Sequence, residues 1–115
     1  MTEEINKIKE AIIEALPVEK IYLFGSFAYG TPNADSDYDF YVLISDGSIK
    51  PIEARIKARR ALSNINRQKD ADVLADYKSR FEERSNFNTL ERKIARDGVI
   101  LYGRNQYRFG AVIAG

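Results

Sequence analysis

Two stretches of this sequence carry side chains whose types and spacing suit chemistry. Leu23-Phe24-Gly25-Ser26-Phe27-Ala28-Tyr29-Gly30 ends an apolar run in Gly-Ser, and Ser36-Asp37-Tyr38-Asp39-Phe40 opens the next apolar run with two aspartates at i and i+2. On a strand that spacing puts both carboxylates on one face, about 7 Å apart along the backbone. Two carboxylates so close repel unless a cation lies between them. Mg²⁺ takes oxygen ligands and commonly binds one or two carboxylates together with substrate phosphates. The Gly-Ser turn suits the phosphates: Gly25 lets the backbone approach a ligand, N–H groups at the start of a turn point at an anion, and the Ser26 hydroxyl adds a donor.

The chain contains no histidine and no cysteine. That excludes a Ser-His-Asp triad, thiolate chemistry, disulfides and zinc sites of the usual kind. Catalysis must rest on carboxylates, hydroxyls, lysines, arginines or a hard metal. An aspartate-nucleophile phosphatase is disfavoured by strand direction. There the acidic residues follow the apolar strand, whereas Phe40–Ile44 comes after Asp39, and Tyr41 stands where Thr or Val is expected.

The elements that must position these residues follow from periodicity. Ile5, Ile8, Ile12 and Leu16 form one helical stripe that Pro17 ends. Residues 20–24 read as a buried strand, Ser26–Tyr29 as one helical turn, and 38–45 as a strand covered on both faces. A helix over 52–68 is expected to turn Ile52, Ile56, Leu62 and Ile65 inward. A strand over 71–77 contains Asp72. A helix over 86–96 presents Phe87, Leu90 and Ile94, and Val99–Tyr102 is the last strand. The order α-β-β-α-β-α-β gives a small mixed sheet flanked by helices, an α/β (α+β) fold. At 115 residues the chain is a single domain, with its core over about 5–102 and a tail over 103–115. The apolar end of that tail, 109–115, has no assignment.

Charge is unevenly placed. Residues 1–50 hold four Lys/Arg against nine Asp/Glu, and residues 51–115 hold fourteen against eight, for an overall +1. An acidic half facing a basic half suits a site holding both a cation and a polyanion. No apolar run reaches membrane-span length and the N-terminus lacks a signal-peptide core, so a cytoplasmic location is expected. The seven tyrosines and six phenylalanines read as core residues rather than a base-stacking platform, and direct nucleic-acid binding is not expected.

Gly25-Ser26, ten residues, then Asp37-x-Asp39 resembles the signature of the DNA polymerase beta-like nucleotidyltransferase superfamily. Gly30, Ser36, the small size and the ending Ala95-Arg96-Asp97-Gly98-Val99-Ile100-Leu101-Tyr102 look like its minimal nucleotidyltransferases. The resemblance implies the nucleotidyltransferase fold and a third carboxylate on the next strand, in an apolar-Asp-apolar setting that Ala71-Asp72-Val73-Leu74 fits. A carboxylate inside an apolar strand is also costly unless paired or metal-bound. Asp70 shares its parity but sits in a polar stretch, and Asp76 lies too far along the strand. Many members carry an arginine where this chain has Tyr29, which leaves Arg55, Arg59 and Arg60 as replacement cations.

The resemblance further implies two Mg²⁺ ions on Asp37, Asp39 and Asp72, and ATP as donor of AMP to a hydroxyl. Asp72 would orient or deprotonate that hydroxyl. Members of this size are often paired with a small helical toxin of the HEPN class and add AMP to a toxin tyrosine. The alternatives are a non-catalytic antitoxin that neutralises such a partner by occlusion, or a transferase acting on a small molecule. Homo-oligomerisation stays open. Each motif also has a purely structural reading: Ser26 as a helix N-cap, Asp37 and Asp39 in Asx-turns, and the Arg55–Lys69 run as a solvated face.

Overall fold

The structure, a computed structural model, describes residues 2–104; the apolar tail 109–115 lies outside the described residues. The elements are α1 (Thr2–Ala15), β1 (Val18–Phe24), α2 (Ser26–Tyr29), β2 (Tyr38–Ile44), α3 (Pro51–Ser63), β3 (Ala71–Tyr77), α4 (Lys78–Arg84), α5 (Leu90–Asp97) and β4 (Val99–Gly103). The four strands form one mixed sheet in the order β3-β2-β1-β4. β2 runs antiparallel to β1 and parallel to β3, and β4 is antiparallel to β1. β3 and β4 are therefore the sheet edges. No helix of the described residues is long and apolar enough to cross a membrane.

Alternation on the strands splits the core in two. Ile21, Leu23, Tyr38, Phe40, Val42 and Ile44 point to one face, where Ile5, Ile8, Ile12 and Leu16 of α1 and Ala54, Ala58 and Leu62 of α3 cover them. Tyr22, Tyr41 and Leu43 point to the other face, against Phe81 of α4 and Ile94 of α5. The near-continuous apolar run of β2 is thus explained: it is a central strand packed on both sides.

Three expectations need correction. The inward stripe of α3 is Ala54, Ala58 and Leu62, while Ile52 and Ile56 are 60% and 45% exposed. Both alanines are fully buried where α3 packs against α1 and β3, and small side chains let the helix lie close. Second, α3 ends at Ser63 rather than 68, with Asn64 as its C-cap. Third, the helix expected over 86–96 is α5, which begins only at Leu90, and a further helix, α4, that the sequence did not suggest precedes it across a turn. Thr89 accepts from the Arg92 N–H through its hydroxyl and starts α5, so residues 86–89 are not helical, and Phe87 is 62% exposed.

Candidate active site

The first residues of β2 and β3 lie side by side. In the parallel ladder Asp39 stands directly opposite Asp72, with Tyr38 opposite Ala71 and Phe40 opposite Val73. Paired positions share a face, and neighbouring strands are about 4.8 Å apart, so the two aspartates emerge together. Asp39 is half-buried and Asp72 exposed. Burial pushes the Asp39 carboxyl above the ordinary aspartate range, and the negative charges of Asp72 and Asp37 push it further the same way.

Gly25 closes the site from the β1 side. Phe24 pairs with Asp39, and the chain then turns at Gly25 with φ 77 and ψ −161. That left-handed conformation favours glycine, and a Cβ at this position would collide with Asp39 Oδ2. The Gly25 carbonyl accepts from the N–H groups of Ala28 (3.0 Å) and Tyr29 (3.1 Å), which closes α2 into a single turn. Gly25 is the capping position and Ser26 the first helical residue, so the N-cap reading of Ser26 does not hold.

Contacts far apart in sequence pin the starts of both strands. Glu4 accepts from the Tyr38 hydroxyl (2.7 Å) and from the Gln68 N–H (2.6 Å), tying α1 to β2 and to the connection before β3. These bonds, the Gln68 N–H foremost, hold the Glu4 carboxyl below the usual range, while burial and then Glu4 raise Tyr38 to about 12. Lys69 Nζ donates to the carbonyls of Ala34 and Ser36, both at 3.2 Å, and the Tyr38 N–H donates to the Asp70 carbonyl (3.0 Å). Sequence reasoning missed Glu4, whose bonds span 34 and 64 positions, and Lys69, whose bonds span 35 and 33, because no local spacing signals a bond over such separations.

The Asx-turn reading falls to Asn33 instead, whose side chain accepts from the Asp35 N–H (2.9 Å). Among the described residues, the side-chain carboxylates of Asp37, Asp39 and Asp72 accept no hydrogen bond and form no ion pair. Asp76 is the opposite case. It is buried, accepts from the Tyr77 N–H (2.7 Å) and faces Arg80 (3.4 Å), so it serves the structure.

A cavity of about 390 Å³ runs from Phe24 and Asp39 across Asp72 and Leu74 and over the free edge of β3 to Arg55, Arg59 and Arg67. Asp37, Gly25 and Ser26 border this region without lining the cavity. Arg60 lies away from it on α3, and Arg67, in the connection before β3, takes its place as the third arginine. Tyr29 carries Lys93 over its ring at 5.2 Å, a second cation that the spacing of motifs did not reveal.

Among the described residues no three carboxylates come together as a ready metal cage. Asp39 and Asp72 are paired, and Asp37 is exposed at the mouth, near enough to raise Asp39 electrostatically. The expense argued for Asp72 also fails, since an exposed position on an edge strand carries little desolvation cost. The donor set nevertheless suits a hard divalent cation: it is all oxygen, carries formal negative charge, and is free of competing bonds.

The chain matches the family described as Polymerase beta, Nucleotidyltransferase, over residues 6–107. No curated protein sequence matches it. Among solved structures it is similar to a candidate nucleotidyltransferase from Sulfolobus solfataricus, with a TM-score of 0.58 and 21% identity over 91% of this chain and 82% of that one. It is also similar to a chain of a toxin-antitoxin crystallised with AMP-PNP, with a TM-score of 0.52 and 25% identity over 88% and 74% of the two chains. A substituted form of the toxin-antitoxin MntA-HpeT gives a TM-score of 0.51 at 24% identity over 88% and 74%.

Proposed function

The chain belongs to the polymerase beta nucleotidyltransferase family and is a nucleotidyltransferase, and we propose that it transfers AMP from ATP to a tyrosine hydroxyl of a helical HEPN-type partner, as the antitoxin of a toxin-antitoxin pair. The observation that carries the catalytic part is the facing of Asp39 and Asp72 across β2 and β3, free of other side-chain bonds, with Asp39 raised by burial and then by its acidic neighbours. The partner and the nucleotide are supported by the likeness to a toxin-antitoxin crystallised with AMP-PNP.

In this reading Asp39 and Asp72, joined by Asp37, would hold Mg²⁺. When bound, the metal supplies charge neutralisation at the phosphates and favours in-line displacement. Gly25 and the opening of α2 let the backbone come up to the phosphates, with the Ser26 hydroxyl as a further donor. Asp72, the more exposed of the pair, orients the acceptor hydroxyl and takes its proton. The hydroxyl oxygen bonds to the α-phosphorus as the bond to pyrophosphate breaks.

The test is transfer from α-labelled ATP to a co-purified helical partner in the presence of Mg²⁺. Asp39→Asn keeps the size of the side chain and removes one charge, so transfer is expected to fall by about a hundredfold or more. Unchanged transfer would overturn the site. A partner that carries no label, yet is neutralised equally by parent and variant, would leave occlusion as the function.

A further inference from the structure

The arginines of the cavity stand on the side of the acidic pair away from Gly25. Arg55 and Arg59 are one turn apart on α3, and Arg67 follows in the connection to β3. Among the described residues none of the three takes part in an ion pair. Arg67 gives one long bond to the Leu62 carbonyl (3.5 Å), and its Nε is buried without a partner. A buried donor left unmade is costly, so an anion at this wall would be favoured. Ile52 and Ile56, 60% and 45% exposed, lie on the same stripe as Arg55 and Arg59, since positions 52, 55, 56 and 59 recur at helical spacing. The stripe flanks the free edge of β3.

We propose that this stripe and the β3 edge form the docking surface for the acceptor, and that the acceptor presents its hydroxyl on an acidic, partly apolar polypeptide segment. This rests on the reading above, in which nucleotide phosphates approach from the Gly25–Ser26 side; the β3 side is left to the acceptor, and Arg55 and Arg59 then serve the acceptor rather than the phosphates for which the sequence offers them. Charge complementarity selects the occupant: three unpaired arginines call for carboxylates. The two isoleucines decide between a polypeptide and a phosphate group. A triphosphate has no use for an exposed apolar stripe, whereas an amphipathic helix lays its apolar face on one. The other flank of α3 is occupied differently, with Lys57 paired to Glu53 at 3.7 Å.

The probe is a set of three fluorescent peptides with one tyrosine and leucines at helical spacing. The first carries glutamates at the remaining positions, the second glutamines and the third lysines. Binding to the full chain is read by anisotropy, without turnover. The glutamate peptide is expected to bind at least tenfold tighter than the glutamine peptide at low salt, with the gap shrinking as salt rises. In the double variant Arg55→Gln/Arg59→Gln the two peptides should bind within about twofold of each other, while the thermal shift given by Mg²⁺ and ATP is retained. Ile52→Asn/Ile56→Asn should weaken both peptides alike. These side chains are exposed, so the variants fold.

Equal binding of the glutamate and glutamine peptides by the parent would overturn the proposal. So would an arginine variant that loses the ATP shift and keeps the peptide preference, which would assign the arginines to the triphosphate. Failure of any peptide to receive AMP, with the binding preference intact, would strike the tyrosine reading and leave the surface standing.

Discussion

The two faces of the sheet are built unequally. On the α1/α3 face fourteen buried residues form one cluster that covers β2 from Tyr38 to Ile44. On the α4/α5 face, among the described residues, only Tyr22, Tyr41, Leu43, Phe81 and Ile94 are buried together. Phe81 lies over this smaller cluster, 5.4 Å from Tyr22 and 5.0 Å from Tyr41 between ring centroids. The cover there reaches the far end of β2 and stops short of its beginning. Asp39, which has the parity of Tyr41 and Leu43, is therefore left half-open beside Asp72. One face holds the strands in register, and the other, by being incompletely covered, leaves a cavity beside Asp39 and Asp72.

Stability measurements can break this division. Phe40→Ala empties the middle of the larger cluster and is expected to cost about 3–5 kcal/mol, enough to leave a small domain barely folded. Phe81→Ala should cost about 1 kcal/mol less, because a smaller, more open cluster relaxes more easily around the gap. Chemical denaturation of both variants checks this. Equal losses would mean that the two faces contribute alike.

Gly25→Ala addresses the open face directly. The new methyl meets Asp39 Oδ2, and the backbone at φ 77 suits glycine. The expected stability loss is about 1–3 kcal/mol, with transfer reduced as strongly as in Asp39→Asn. A stable and fully active variant would show that Gly25 need not approach Asp39 closely.

Much of this was legible in the chain. Strand patterns placed β1, β2 and β3, and Gly25-Ser26 with Asp37-x-Asp39 marked the turn and the acidic strand start. What local patterns could not show was which side of α3 is buried. Hydropathy favours Ile52 and Ile56, whereas the packing distance to α1 and β3 favours Ala54 and Ala58. Nor could spacing reveal Arg67 in the cavity wall, because its place depends on where α3 stops. α4 was hidden for a related reason. Lys78–Arg84 carries a single buried apolar residue, Phe81, too few to make a stripe.

Glu4 belongs to the α1/α3 face, where it pins the start of β2 through Tyr38 while sitting on α1. Glu4→Ala leaves the Tyr38 hydroxyl and the Gln68 N–H without their acceptor, at a cost of about 1–2 kcal/mol. The Glu4 carboxyl is lowered in the fold, so its contribution is present above the ordinary carboxylate range and is lost as pH falls through the lowered value. The gap between parent and variant should therefore close in acid. A gap independent of pH would mean that the charge of Glu4 is immaterial.

The smallest effect, and the one that reads the open face most directly, is the stability of Asp39→Asn. Burial and the charges of Asp72 and Asp37 raise the Asp39 carboxyl in the folded chain. The folded state then holds this proton more tightly than the unfolded state does. Stability accordingly falls as pH rises through the carboxylate range, and the whole penalty is present at neutral pH. Asparagine carries no charge and escapes it. In chelator at pH 7 the variant is expected to melt a few degrees above the parent, and the difference should vanish as pH falls below the ordinary aspartate range. Mg²⁺ should narrow the gap from the other side, because a cation between the carboxylates stabilises the parent and gains less from the variant. A variant that melts below the parent in chelator at neutral pH would show that Asp39 is stabilised in the fold by a partner other than a cation, and the open end of β2 would then be a structural site rather than a catalytic one.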